Sequence, residues 1–229
     1  ITKKRYAIKC LDIEGWQPEG GKLKIMGMDI KRSDTPEFIQ EFLEEILDDA
    51  LSGLSEREVV DKIREFKLQF KEMEPWKKGM PKRVNNLTHY TKKYRKLKGL
   101  DGSADLAQHQ KLKKLKELEP ANNMIPGHVT ASIHWNMLKQ MNSDNYSMSI
   151  SDGMKVIVCR LRSNPMGYSS IAYPVDELHL PDWFKALPFD CETMEQSVLD
   201  KKINNVLGAM KWDLSQINHS AALNEFFDF

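Results

Sequence analysis

The 229-residue chain contains few of the residues that mark secreted, metal-binding or membrane-spanning proteins. Its three cysteines, Cys10, Cys159 and Cys191, stand far apart without paired spacing, so neither a disulfide framework nor a zinc site is indicated. No apolar run approaches membrane-spanning length, and the first residues do not resemble a signal peptide. We therefore expect a protein that works inside the cell and has no membrane partner. The apolar fraction of 41% is enough for at least one buried core.

The net charge is only +1, but the charges are sorted along the chain. Asp34–Asp61 contains ten acidic residues and one arginine. Lys77–Lys116 contains thirteen Lys or Arg and two Asp, with Tyr90 and Tyr94 between them. A basic stretch with interleaved aromatic residues favours binding of a polyanion such as nucleic acid. The alternative for both stretches is a solvated helix face, and we favour it for the acidic one.

The first third of the chain predicts a β-hairpin followed by two helices. β-Branched and apolar residues over Tyr6–Ile13 and Lys22–Ile30 indicate two strands joined by a turn rich in glycine and proline. Asp34 is a candidate helix cap, with Pro36 in the first turn and Glu37 three residues after the cap.

A second helix is predicted from Ser55 and Glu58, which have the spacing of a capping box. Phenylalanines recur at helical spacing in both helices, which predicts an antiparallel pair with a phenylalanine core rather than a platform for stacking bases. These residues are Phe38, Phe42, Phe66 and Phe70.

The helical pattern weakens between Pro75 and Pro126, where we expect an irregular basic region with a short basic helix over Lys111–Leu118. Beyond it, the pattern predicts a helix over Val129–Leu138 and a strand pair of Lys155–Leu161 with Ser169–Tyr173. A last long helix follows, marked by Met194, Val198, Val206, Leu207 and Met210. His128 and His134 are isolated, and we interpret each as a hydrogen-bonded histidine near a helix rather than a metal ligand.

Several short motifs occur in a definite order along the chain. They are Lys3-Lys4-Arg5-Tyr6 followed by Asp12, Glu14 and Gly15, then 24–29 with 32–36, 84–90, 125–129, 152–156, 161–167 and 171–174. In this order they resemble the end of the palm domain and the thumb domain of family B DNA polymerases. The likeness is greatest to the replicative polymerases of T-even-like bacteriophages. The stretch Thr91–Met124 lies outside the resemblance.

The resemblance implies an α+β fold, mainly helical, in which a short β-hairpin from the palm edge precedes a helical thumb domain with an inserted β-hairpin. It implies the end of the palm at 1–34, the thumb at 35–222 and a clamp-binding tail at 223–229. The implied function is to hold primer-template DNA for processive template-directed synthesis, in the cytoplasm of an infected bacterium. Two-metal phosphoryl transfer requires carboxylates around the metal ions, and the resemblance places these, with magnesium, in an upstream palm. No catalytic or metal-binding residue is therefore expected in this chain, and alone it should be inactive.

The resemblance also implies which residues meet DNA. Lys3, Lys4 and Tyr6 would contact the duplex near the primer terminus. In the basic stretch, the candidates for phosphate contacts are Lys82, Arg83, Lys92, Lys93 and Arg95. Phosphate contacts carry no sequence information, so binding should be insensitive to sequence. Five such contacts would give a slope of log K against log salt of roughly 4 to 5.

The last seven residues contain four large apolar side chains, which either dock on the protein or await a partner. They are Leu223, Phe226, Phe227 and Phe229. In the polymerases that the chain resembles, a comparable aromatic peptide binds the ring-shaped sliding clamp, and we expect the same partner here. The partners implied are thus primer-template DNA, the clamp and the upstream palm, fingers and exonuclease.

Two further functional classes remain open from the sequence. One is a free-standing DNA-binding or scaffolding protein with a thumb-like fold. The other is a natural C-terminal subunit of a split polymerase. The absence of an initiator methionine favours a fragment.

Overall fold

The computed structural model describes residues 6–98, 125–210 and 212. The chain forms two compact units, and we describe each by itself: unit 1 consists of the described residues within Ile1–Met80 and Cys191–Phe229, and unit 2 of those within Pro81–Asp190. The fold is α+β and about half helical, with two small antiparallel sheets. The predicted fold class is confirmed at this level.

Twelve helices and strands are found among the described residues. In chain order they are β1 (Tyr6–Cys10), β2 (Lys22–Met26), α1 (Glu37–Leu51), α2 (Glu56–Glu72), β3 (Met80–Arg83), α3 (Leu87–Lys98), α4 (Gly127–Met141), β4 (Lys155–Arg160), β5 (Ser170–Pro174), α5 (Asp182–Lys185), α6 (Cys191–Met194) and α7 (Lys201–Met210). Short 3₁₀ turns lie at Asp29–Lys31 and Pro75–Lys78.

In unit 1, β1 and β2 form an antiparallel hairpin in which Ala7 lies opposite Ile25. Both side chains pack against the core of unit 1. Both strands are shorter than the sequence predicted: β1 ends at Cys10, before a turn at Glu14 and Gly15, whose φ angles are 54° and 88°, and β2 ends at Met26, before Gly27, whose φ angle is 65°. Two adjacent residues with positive φ match a tight two-residue hairpin turn.

Helices α1 and α2 pack as the predicted antiparallel pair, with phenylalanine rings between them. The Phe42 and Phe66 centroids are 3.7 Å apart, and those of Phe38 and Phe70 are 6.3 Å apart. The lower-numbered residue of α1 meets the higher-numbered residue of α2, which shows the antiparallel direction. These rings belong to or pack on the hydrophobic core, so the prediction that the stripe is core is confirmed.

The two predicted helix caps have different outcomes. The Ser55 N–H donates to the Glu58 carboxylate at 2.8 Å and the Glu58 N–H donates to Ser55 Oγ at 3.4 Å, which confirms the capping box of α2. The predicted Asp34 cap is wrong, since α1 begins after Pro36 without a side-chain cap. The Asp34 carboxylate instead accepts a hydrogen bond from Arg32 Nε at 3.2 Å. A nearby guanidinium therefore replaces the helix N–H groups as its donor.

The C-terminal helix of unit 1 is continuous but not uniform. Between α6 and α7, residues Glu195–Asp200 form a π-helical segment. The Lys67 ammonium group of α2 pairs with the Glu195 carboxylate at 3.4 Å and the Asp200 carboxylate at 3.0 Å. One cation thus holds both ends of the segment against α2. The long final helix predicted from the sequence is confirmed.

Unit 2 is built on a three-stranded sheet in the order β3, β4, β5. β4 and β5 pair, as the sequence predicted. They are antiparallel, and Val158 lies opposite Ala172. Helix α4 packs on β5 and helix α3 packs on α4. Trp135 of α4 is fully buried.

The helix α3 was not predicted. The sequence pattern indicated an irregular basic region from Pro75 to Pro126, and this is wrong for Leu87–Lys98. The signal was present, because Leu87, Tyr90, Tyr94 and Leu97 recur at spacings of three and four residues. The many lysines between them obscured it. The short basic helix predicted over Lys111–Leu118 lies outside the described residues.

Candidate nucleic-acid interface

The charges of the chain are sorted by compact unit. Within 81–98 and 125–190, unit 2 contains twelve Lys or Arg and six Asp or Glu, a net charge of +6. Within 6–80, 191–210 and 212, unit 1 contains fourteen Lys or Arg and twenty Asp or Glu, a net charge of −6. Over the described residues, the near-neutral net charge of the chain is therefore the sum of one basic and one acidic unit, and a net positive charge favours contact with polyanions.

The acidic helix α1 is largely paired within unit 1. Lys62 of α2 donates to the Glu45 carboxylate at 2.9 Å and the Asp49 carboxylate at 2.5 Å. Lys9 of β1 donates to Asp48 at 3.0 Å. This agrees with the interpretation of the acidic stretch as a helix face rather than a ligand site.

In unit 2, Lys82 and Arg83 lie on β3, and backbone hydrogen bonds fix the chain that follows them. The Val84 N–H donates to the Met154 carbonyl at 3.0 Å, and the Gly153 N–H donates to the Val84 carbonyl at 2.7 Å. Arg83 is exposed, and its Nε donates to the Gly153 carbonyl at 3.1 Å. One edge of the Arg83 guanidinium is thereby held, while its side chain remains at the surface.

The start of α3 is tied to the same turn. The Leu87 N–H, at the first residue of the helix, donates to the Asp152 carboxylate. A carboxylate at a helix N-terminus satisfies a free N–H group and interacts favourably with the helix dipole. Strand β3 and helix α3 are thus anchored at one point, the 152–154 turn.

The predicted residues of α3 point in different directions. With about 100° per residue, Lys93 and Arg95 lie about 160° apart around the helix axis. Lys92 lies between them, on the side opposite the buried Tyr94. Lys92 and Arg95 therefore lie on the exposed side of α3, about 60° apart, and the half-buried Lys93 lies at its edge.

Lys96 is a candidate that the sequence prediction missed. It is exposed and lies about 40° from Lys92 around the helix, because the two are four residues apart. Among the described residues, the ammonium groups of Lys92 and Lys96 form no ion pair. The four-residue spacing between Lys92 and Lys96 was the sequence signal that could have identified Lys96 as a candidate. We refer to Lys92 and Lys96 as the α3 lysine pair.

A buried polar network fixes the orientation of α3. Tyr94, on the opposite side from the lysine pair, is buried with its hydroxyl 3.0 Å from Nε2 of His134 in α4. Nδ1 of His134 lies 2.8 Å from the Ser170 carbonyl of β5. A carbonyl can only accept, so Nδ1–H donates to it and Nε2 accepts from the Tyr94 hydroxyl. A neutral His134 gives this arrangement, because its Nε2 then carries no proton, and the network joins α3, α4 and β5.

The Tyr168 ring covers this network, stacked on the His134 ring at 3.7 Å between centroids and 6° between planes. Burial lowers the pKa of His134, although its bond to the Ser170 carbonyl opposes the shift and the charge of Lys98 adds to it. Burial raises the pKa of Tyr94. Both shifts favour the uncharged forms that the hydrogen bonds need. The prediction of a hydrogen-bonded histidine is confirmed for His134.

The positive charges also act on His128, near the start of α4. Burial lowers its pKa, and the positive charge of Lys82 lowers it further. Lys82 thus acts electrostatically on α4 although it belongs to β3.

The other predicted contacts fall elsewhere. Tyr6 lies on β1 in unit 1, half-buried, on the hairpin face opposite the one that packs on the core. Lys3 and Lys4 lie outside the described residues, as do the four predicted clamp-binding residues, Leu223, Phe226, Phe227 and Phe229.

The described parts of unit 2 thus offer lysine and arginine side chains for electrostatic contacts.

Within the described ranges there is no group of three His, Cys, Asp or Glu side chains that could hold a metal ion. No helix in the described part of the chain is both long and apolar enough to cross a membrane. The three cysteines are free thiols: Cys159 is buried, and Cys10 and Cys191 are half-buried.

Comparison with known proteins gives one informative similarity. Over 174 residues the chain is 28% identical to the DNA-directed DNA polymerase of Enterobacteria phage T4. The alignment covers 76% of this chain but 16% of the phage protein, so the chain spans a small part of its relative. No family model matches the chain. The similarity supports a polymerase-related role.

Proposed function

We propose that the chain is the palm-end and thumb portion of a viral replicative DNA polymerase and that it binds primer-template duplex for processive synthesis. On this proposal the catalytic carboxylates lie in an upstream palm, and the isolated chain does not synthesise DNA. The contribution of the chain is positioning. A part that holds the duplex behind the active site keeps the primer end aligned and lengthens each binding event.

The α3 lysine pair is the observation that carries the DNA-binding part of the proposal. Lys92 and Lys96 are exposed, lie on one side of a helix and form no ion pair among the described residues. Tyr94 and His134 fix the opposite side of the helix. Unit 2 also carries a net charge of +6 over its described residues. A fixed row of cations on a basic unit supports binding to a phosphate backbone without sequence readout.

The test is a salt titration of duplex binding by fluorescence anisotropy, using two duplexes of unrelated sequence. The double variant Lys92→Glu/Lys96→Glu should bind both duplexes equally weakly, and its slope of log K against log salt should fall by about 2. The control is Arg57→Glu/Lys185→Glu, which makes the same change in net charge at two exposed residues elsewhere. If both variants lose the same affinity, net charge rather than the α3 lysine pair determines binding.

Primer extension separates the polymerase proposal from a free-standing DNA-binding protein. The chain is mixed with an upstream chain that contains the exonuclease, fingers and palm, and synthesis is measured with each chain alone and with both. Extension that requires both chains supports the proposal. Tight DNA binding with no extension from the mixture, when the upstream chain is shown to bind nucleotide, would favour the free-standing protein.

The C-terminal tail is proposed to bind a sliding clamp, on the basis of its aromatic residues. The test is to end the chain at Ala222 and to measure its association with the clamp by surface plasmon resonance. Unchanged association would remove this role and leave DNA binding unaffected.

A further inference from the structure

We infer that two adjoining loops of unit 2 form a docking surface for a protein that presents basic side chains around an apolar pocket. The first is 142–148, which follows α4, and the second is 175–183, which follows β5 and includes the first two residues of α5; we call them the loop pair. This goes beyond the proposed function, since it concerns a surface that the α3 lysine pair does not include.

The loop pair is held together by hydrogen bonds from both loops. The Met148 N–H donates to the Glu177 carboxylate at 2.6 Å, and the Trp183 indole N–H donates to the Asp144 carboxylate at 2.9 Å. Asp144 also accepts from the N–H groups of Tyr146 and Ser147, both at 3.0 Å. Each loop therefore fixes the other, and a partner would not have to order them.

The carboxylate at the centre of this arrangement remains charged. Desolvation raises the pKa of Asp144, but hydrogen bonds from the Ser147 hydroxyl and N–H, the Trp183 indole and the Tyr146 N–H together hold it well below its ordinary value. Behind the loops, the buried Trp135 donates to the Met148 carbonyl at 2.8 Å. The base of the loop pair is thus part of the core of unit 2.

The outer side chains of the loop pair are apolar and exposed. Tyr146 is 100% exposed and Leu178 is 87% exposed, and Met148 and Val175 are also exposed. Several large apolar side chains exposed on two loops that are hydrogen-bonded to each other are typical of a surface that binds another protein. Tyrosine in particular provides a large contact area at a low cost in side-chain entropy.

The charge of the loop pair selects the class of partner. The two loops contain four acidic residues and no Lys or Arg. They are Asp144, Asp176, Glu177 and Asp182. Unit 2 is otherwise basic, so the loop pair is an acidic area on a basic unit. Such an area repels a phosphate backbone and attracts lysine and arginine, and apolar side chains ringed by charge are typical of a protein interface. The favoured occupant is therefore a basic protein surface.

The test uses a random peptide library displayed on phage, panned on the full chain and on the double variant Tyr146→Ser/Leu178→Ser. Both side chains are exposed, so the variant should fold, and unchanged hydrogen exchange in α4 confirms this. Peptides enriched on the wild-type chain alone should combine Lys or Arg with a Leu or an aromatic residue. An enriched peptide is then synthesised and titrated by calorimetry.

The double variant should weaken peptide binding by about thirtyfold or more, as expected for apolar anchors at the centre of an interface. Asp176→Lys should weaken it several-fold, with a loss that shrinks at high salt. The matched control is Met166→Ser, an exposed residue in another loop of unit 2, which should change binding less than twofold.

Three results would overturn the inference. One is enrichment of acidic or uncharged peptides, or of peptides that bind the double variant equally well. Another is a loss of duplex DNA binding in the double variant, which would assign the loops to nucleic acid. A third is self-association of the wild-type chain in light scattering that the double variant abolishes, which would make a second copy the occupant.

Discussion

Replacing Tyr94 with phenylalanine should destabilise unit 2 by removing one hydroxyl group. Tyr94 is 6% exposed, and its hydroxyl is the donor to Nε2 of His134, which is 4% exposed. His134 cannot turn to use another donor without giving up its bond to the Ser170 carbonyl. Leaving a buried acceptor without a donor costs about 1–3 kcal/mol.

The chain has two compact units, and a single unfolding transition would not report on unit 2 alone. The assay is therefore native-state hydrogen exchange of the α4 amides, measured by mass spectrometry on peptides from Gly127–Met141. A cost of 1–3 kcal/mol should speed exchange by about 5- to 150-fold, since about 1.4 kcal/mol is a factor of ten. The matched control is Tyr146→Phe, which removes the same group from a fully exposed side chain and should change nothing.

A double variant provides the decisive comparison. The His134→Leu variant has no Nε2 acceptor. Adding Tyr94→Phe to this variant should therefore lower the stability of unit 2 much less than Tyr94→Phe lowers it in the wild type. Equal protection of α4 in the wild type and Tyr94→Phe would refute the assignment of the hydrogen bond. If Tyr94→Phe speeds α4 exchange equally in the wild type and in the His134→Leu variant, the Tyr94 hydroxyl acts on a group other than His134.

Four smaller predictions concern other parts of the molecule. Lys93→Glu should weaken duplex binding less than Lys92→Glu in fluorescence anisotropy, because Lys93 lies at the edge of the exposed side of α3. Ser55→Ala should cost about 1 kcal/mol by removing a helix cap, measured as faster native-state hydrogen exchange of the α2 amides; no change in exchange would refute the capping role. The pKa of His134 is lowered in the folded state, so the unfolded chain takes up its proton first. The stability of unit 2 should therefore fall as the pH drops below about 6.5, measured as α4 exchange corrected for its intrinsic pH dependence. Asp144→Asn should speed exchange in the 142–148 loop, because a neutral amide is a weaker acceptor than a carboxylate.

The sequence predicted those elements whose signals are local. The capping box at Ser55 needs only two residues three positions apart, and it is present. The hairpin of β4 and β5 follows from alternation of apolar and polar side chains, and the bounds of both strands were predicted to within one residue. The Asp34 cap was wrong because Arg32 competes for the carboxylate, and the competition depends on side-chain conformation rather than on spacing.

The candidate site was predictable in composition but not in geometry. The basic stretch identified Lys92 as a candidate. Because α3 was not predicted, the direction of the Lys92 side chain could not be inferred and Lys96 was not recognised as a candidate. The network that orients α3 joins residues 40 and 36 positions apart in the sequence, so no local pattern could reveal it. The loop pair likewise depends on contacts between residues 29 and 39 positions apart.

The π-helical segment lets the C-terminal helix contain one residue more than a regular α-helix would over the same turns. Met194, Val198, Lys202 and Val206 are all buried, at a strict spacing of four. In a regular α-helix each such step drifts by about 40°, so the last of them would lie about 120° away from the first. One extra residue in the wider turn offsets about 100° of this drift and keeps all four toward the core. Deleting the exposed Gln196 should therefore give a regular helix whose final ten residues still face the core, because eleven steps of about 100° leave an offset of only about 20°. For this segment, the deletion of one residue is expected to be less damaging than the insertion of another, which would rotate the final ten residues by about 100°.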